Sequence, residues 1–304
     1  MNCSSGHPRF RTIDRHRRGF TLVELMVSLV IGLAVVGVLS AAYVASVQSG
    51  RHNDAMAQIA EDATLALGVM RQQVAQAGFG TPIGSGPAGF VLHPSTPVLG
   101  CEAANFRDPA TGILGPPTCN ASAADPSTPD ALEVAYEASV LPSATSNGIL
   151  GGRARDEPLD CLGNTFAKTH DPVDGDYYLV DSKFYVSAGN LVCHGPGNPA
   201  GAALVQNVET LQVTYGMSAV APGAAGSNQV AYYDVAPPIG SPAWANVVAV
   251  SICVQVRSAG RVLDAGSAAT LGSWIDCRNA LKSSTDGYLR RTFSTTIVLQ
   301  NKLL

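Results

Sequence analysis

From Phe20 to Val47 the chain is an almost unbroken apolar run, and Glu24 is the only carboxylate inside it. A helix needs about 20 apolar residues to cross a bilayer core, so this segment is long enough to span. From Gln48 the pattern changes. Apolar positions recur at Met56, Ile59, Ala63, Leu67, Met70, Val74 and Ala77, in the steps of three or four that mark an amphipathic helix. Gly78, Gly80 and Pro82 then stop it. The pattern predicts one long helix over 20–77, transmembrane over 20–47 and amphipathic over 48–77. Gly32, Gly37 and Gly50 are points where it could bend or melt, since glycine weakens helix interiors.

After residue 130 the period becomes two. The runs at 131–137, 177–187, 190–195, 208–217, 246–258 and 288–301 alternate apolar and polar positions, as strands with one covered face do. The residues "AGN" between the second and third runs fit a hairpin turn. Leu211, Val213 and Tyr215 share a face, as do Val248, Val250, Ile252, Val254 and Val256. The expectation is an α+β fold. Its long N-terminal helix packs on an antiparallel head of six or seven strands, and the head fills 78–304. Residues 78–130, rich in Gly, Pro, Ala and Ser, are expected to form a long loop.

Charge and cysteines give this plan a direction. Five arginines and one aspartate fall in residues 1–19, a basic leader. By the positive-inside rule the leader stays cytoplasmic and the head is exported. Without the leader the chain keeps 14 basic and 22 acidic residues, a net of −8 against −4 for the whole. An acidic body argues against nucleic-acid binding, which needs clustered cations. Cys3 lies in the leader. Cys101, Cys119, Cys161, Cys193, Cys253 and Cys277 all follow the apolar run. None forms a CxxC pair, and an even count in an exported region reads as disulfides. Six cysteines allow fifteen connectivities. The nearest-neighbour set is Cys101–Cys119, Cys161–Cys193 and Cys253–Cys277. "SAAYVAS" at 40–46 imitates a secretory cleavage site, but the helical pattern continues beyond it.

The stretch "RGFTLVELMVSL" resembles the processing motif of type IV prepilins. The resemblance implies a membrane aspartyl peptidase that cuts between Gly19 and Phe20 and methylates the new amine of Phe20. It also implies that Glu24 is the glutamate of that motif. The blocks "PDALEVAYE", "DCLGN", "LVQNVETLQVTYG", "VVAVSICVQVRS" and "LRRTFSTTIVLQN" resemble PilW-type minor pilins. That implies a pilin-like fold and a part in initiating a type IV pilus near its tip. The implied partners are other minor and major pilins, the prepilin peptidase, the assembly platform, a tip adhesin and inner-membrane lipid. The implied path runs from the inner membrane, with the head periplasmic, to the fibre.

An ionised carboxylate in hydrocarbon costs several kcal/mol unless it is paired. Glu24 can neutralise an amine, its own or a neighbouring subunit's, or it can complement its own helix dipole. Subunit pairing is the favoured reading. No HExxH or GxSxG pattern occurs, so neither catalysis nor a cofactor is expected. Asp171, Asp174 and Asp176 cluster in "HDPVDGDYY", yet they lack calcium-loop spacing and read as a solvated turn. Arg290 and Arg291 point to opposite faces of a strand, where a solvated arginine on an edge is expected, with subunit binding as the alternative. Two other functions are weighed: a minor pseudopilin of a type II secretion system, and a periplasmic enzyme on an uncleaved anchor.

Overall fold

The structure is a computed structural model. It describes residues 19–80, 82–86, 89–92, 96–102, 105–107, 114–118, 128–138, 149–150, 153–154, 158–171, 175–263 and 272–302. Leader residues 1–18, Cys119 and Asp174 lie outside the described residues, as does the side chain of Asp171.

Helix α1 spans Leu22–Gln76, 55 residues, or roughly 80 Å at 1.5 Å per residue. It runs through Gly32, Gly37 and Gly50 without a break. The chain divides at Arg51/His52 into two compact units. In the first, the large apolar side chains from Leu22 to Val44 are all more than half exposed. This stretch is long and apolar enough to cross a membrane.

The second unit carries the strands. In chain order they are β1 (Pro82–Gly86), β2 (Gly89–Leu92), β3 (Val98–Cys101), β4 (Asn105–Arg107), β5 (Leu114–Thr118), β6 (Ala131–Ala138), β7 (Ile149–Leu150), β8 (Arg153–Ala154) and β9 (Thr169–Asp171). They continue with β10 (Gly175–Ser187), β11 (Asn190–Gly195), β12 (Asn198–Gln206), β13 (Val208–Met217), β14 (Tyr232–Asp234), β15 (Val247–Arg257), β16 (Ser273–Ile275), β17 (Leu281–Ser283) and β18 (Arg290–Val298). A six-stranded sheet has the order β12-β11-β10-β6-β3, with β9 also paired to β10. A four-stranded sheet has the order β14-β13-β15-β18. Among the described residues every strand pairing is antiparallel.

The head thus holds more strands than the periodicity shows, in two larger sheets rather than one. The stretch expected to be a long loop contains β1 to β5. The β10–β11 hairpin turns at Ala188 and Gly189, both at positive φ, the backbone that a two-residue hairpin demands.

One core joins both sheets to the C-terminal part of α1. Ile59, Ala63, Ala66, Met70 and Val74 pack with Leu132 and Val134 of β6, Phe184 of β10, Leu191 of β11, and the inward rows of β13 and β15. Gln73 is a buried polar residue in this apolar stripe, 5% exposed. Its Oε1 accepts from Tyr136 Oη at 3.2 Å and from Ser182 Oγ at 3.0 Å. The amide therefore fixes the rotation of the helix on β6 and β10. Burial pushes the Tyr136 phenol up to about 12, against the pull of the Gln73 hydrogen bond. Gln73→Leu strands two buried hydroxyls, and the loss should be about 2–3 kcal/mol, read as a fall in the urea midpoint of the full chain.

Candidate functional site

The start of α1 is built by four residues. Gly19 and Phe20 precede the helix, and Phe20 is 83% exposed. Thr21 is the N-cap and Glu24 the third helical residue. Glu24 N–H donates to Thr21 Oγ1 at 3.2 Å, and Thr21 N–H donates to Glu24 Oε2 at 3.4 Å. This reciprocal pair is a capping box, which satisfies two of the helix's orphan donors. The Ser28 hydroxyl donates to the Glu24 carbonyl. In a single chain, then, the carboxylate faces its own helix N-terminus, where the dipole favours a negative charge. The T-x-x-E spacing of residues 21–24 is the sequence signal for this box, and the hydropathy reading passed over it.

The cysteines of the head fasten loops to strands. Cys161 bonds to Cys193, tying the segment before β9 to β11 across a separation of 32 residues. Cys253 bonds to Cys277, tying β15 to the β16–β17 connection across 24 residues. Cys101 is buried and disulfide-bonded, and its expected partner Cys119 is outside the described residues. Beside Cys161, the Asp160 carboxylate accepts from the backbone N–H of Leu162 (2.9 Å), Asn164 (2.8 Å) and Gly197 (3.1 Å). A Cβ on Gly197 would meet backbone and side-chain atoms of this clamp at 2.7–2.9 Å, so glycine is what allows the β11–β12 turn to approach.

Of the two adjacent arginines on the edge strand β18, Arg290 is the enclosed one. Its side chain is only 9% exposed. Arg290 donates to Glu209 at 2.7 and 2.9 Å and to Asp286 at 2.9 and 2.6 Å. The guanidinium also sits 4.9 Å from the Trp274 ring centre. Its planar fork suits two carboxylates at once. The hydrogen bond from Arg290 holds the Asp286 carboxyl well below the usual carboxylate range. Gln255 links the same group, donating to Glu209 at 2.8 Å and accepting from Trp274 Nε1 at 2.8 Å. This cluster locks β18, β13, β15 and β16 together.

A second charged row crosses the six-stranded sheet on the face away from α1. Glu133, Lys183 and His194 are register partners on β6, β10 and β11, and Asp181 lies one step along. Lys183 Nζ is 3.7 Å from Glu133 and 2.5 Å from Asp181. Burial, and then the Asp181 charge, push the Glu133 carboxyl up to about 7, with Lys183 opposing. Burial lowers the His194 imidazole, and Lys183 adds to the shift. For Glu133 the folded value lies above the ordinary 4.5, so folding favours the protonated acid. Its contribution to stability is present below about pH 4.5 and lost as pH rises through about 7. Glu133→Gln should stabilise the chain by about 2 kcal/mol at pH 8. The gap should close toward pH 4.5 in chemical unfolding run across that range.

His170 Nδ1 lies 2.6 Å from Asp176 on the exposed β9–β10 hairpin, so this member of the aspartate cluster is engaged by imidazole. Among the described residues no group of three or more His, Cys, Asp or Glu is placed to hold a metal ion.

Comparison with known families now bears on both halves. Residues 176–301 match the family model described as Type IV Pilus-assembly protein W. Residues 14–40 match the model of the prokaryotic N-terminal methylation motif. The two matches thus fall one on the N-terminus and one on the head. The PilW-type match takes in β10 to β18, and so the whole four-stranded sheet and the Arg290 cluster. The methylation-motif match takes in Gly19, Phe20, the capping box and the first turns of α1. Among solved structures the chain is similar to a type IV-like pilin from Thermus thermophilus, at 11% identity and a TM-score of 0.38. That likeness covers 81% of this chain and 98% of the other. No curated protein matches the chain. The PilW-type head and the methylation motif support a type IV pilin role, with other pilins as the partners the family suggests. The motif and the apolar helix fit an inner-membrane-anchored pilin.

Proposed function

We propose that this chain is a minor pilin that helps to initiate a type IV pilus, near its tip, in company with other minor pilins. The observation that carries the reading is the junction at residues 19–24. A methylation motif runs into a capped, exposed apolar helix, and a head that matches the PilW model follows. On this reading the prepilin peptidase cuts after Gly19 and methylates Phe20. The leader stays in the cytoplasm and the head reaches the periplasm, joined to it by a membrane-spanning 20–47 and an amphipathic 48–77. The assembly platform then draws the chain into the fibre, where a tip adhesin is a further partner. The role is structural rather than enzymatic.

Glu24 has two tasks on this reading. In the membrane it closes its own capping box. In the fibre its charge meets the amine of a neighbouring subunit. Glutamine also closes a capping box but carries no charge, which separates the two. Purified precursor mixed with prepilin peptidase should yield a chain that begins at N-methyl-Phe20, and Glu24→Gln should be cut equally well. The same variant, expressed in place of wild type, should lower surface pili by at least tenfold. Cleavage at another bond would end the proposal. A deletion that abolishes secretion but leaves pili and twitching intact would assign the chain to a type II secretion system.

A further inference from the structure

A groove of about 630 Å³ lies on the outer face of the four-stranded sheet, away from the helix and the core. Its floor is hydroxyl-bearing. Thr214 and Ser251 are register partners on β13 and β15, and Ser294 and Thr292 sit on β18 opposite Cys253 and Gln255. Its wall is the β16–β17 hairpin, which carries Trp274. We infer that this groove is a binding site for a neutral saccharide.

Three features argue for that ligand. The lining charges are one arginine, Arg291, and one aspartate, Asp276. They form no cluster of like charges, so the lining builds no site for an anion or a cation. Asp276 is further occupied by the backbone N–H groups of Arg278 and Ala280 and by Lys282 at 3.8 Å. Next, Thr214 and Ser294 are exposed and make no side-chain hydrogen bond among the described residues. A hydroxyl both donates and accepts, and a row of them matches a ligand that carries hydroxyls of its own. Finally, the wall is set in place before any ligand arrives. The Trp274 indole N–H is committed to Gln255, its ring is stacked on Arg290, and Cys253–Cys277 pins the hairpin to the floor. Thr292 Oγ1 adds a 2.6 Å bond to the Ile275 carbonyl. A rigid aromatic surface offers an apolar face to a sugar ring at little entropic cost. The volume falls within the range of small-molecule sites, about 300–1,000 Å³.

The inference does not depend on the pilin role, and its test is separate from pilus counts. The full chain is held in lauryldimethylamine oxide, a detergent without a sugar headgroup. It is titrated with lactose, maltotriose and chitotriose, with tetraglycine as the peptide control. Tryptophan fluorescence reports on the groove, because of the two tryptophans Trp244 is 5% exposed in the core and Trp274 lines the groove. At least one saccharide should saturate in the range of about 0.1–10 mM. Thr214→Arg and Ser294→Arg fill the groove from exposed positions. Each should weaken that binding at least tenfold with the melting temperature unchanged. The inference is overturned if no saccharide binds, if both variants bind as wild type does, or if tetraglycine binds as well as the best sugar.

Discussion

Gly100→Ala should destabilise the head by about 3 kcal/mol or more, the upper range for overpacking a filled core. Gly100 pairs with Leu132 in β3–β6, and a methyl group there would overlap the Tyr215 hydroxyl oxygen and approach Cζ at 2.8 Å. Neither side can yield readily. Tyr215 is 1% exposed and packs edge-on against Trp244 at 5.0 Å. The Tyr215 hydroxyl has no hydrogen-bond partner among the described residues. Removing an unpaired buried hydroxyl is neutral or favourable, so Tyr215→Phe should leave stability unchanged or raise it by up to about 1 kcal/mol. In the double variant the worst overlap goes and the ring contact stays. About half of the loss should return, a coupling that a double-mutant cycle in urea would measure. Simple additivity of the two changes would show that the backbone moves instead and the contact is not rigid.

Loss of the disulfides is the other large effect. In the chain-entropy model, closing loops of 32 and 24 residues is worth about 3.5 kcal/mol each. The two should nevertheless differ. Cys193 is fully buried and Cys161 nearly so, both within the main core. Replacing that pair with alanine removes packing as well as the cross-link. Cys253 and Cys277 line an open groove, so their loss frees the β16–β17 hairpin with little change to the core. Paired alanine variants, unfolded in urea, should show the larger fall for Cys161/Cys193. Falls of less than about 1 kcal/mol for both would mean that the unfolded chain already holds these loops closed.

What the sequence revealed followed from how local each cause is. The long helix and the inward rows of β13 and β15 were legible because a 3.6 or 2.0 period repeats over ten residues or more. β12 was not, since "NPAGAALVQ" is mostly small residues on an exposed edge and shows no contrast between faces. β3 is only four residues long, too short for a period. Gln73 was invisible for another reason: its partners are 63 and 109 residues away, and a polar residue in an apolar stripe looks like the edge of the stripe. Which of Arg290 and Arg291 is enclosed was not legible for the same cause, with Glu209 81 residues distant from Arg290. At the N-terminus the methylation motif was legible because its positions are adjacent, whereas the capping box of Thr21 and Glu24, equally local, was passed over.

The Asp160 clamp has a consequence for how the head matures. Its three backbone bonds fold the segment around Cys161 against the β11–β12 turn. Those bonds need no oxidant: two are local to 160–164, and the third reaches Gly197 in the β11–β12 turn. They therefore raise the effective concentration of one thiol at the other while both are still reduced. In the folded head a carboxylate and a disulfide thus hold the same two segments, so reduction of Cys161–Cys193 leaves a non-covalent tie in place.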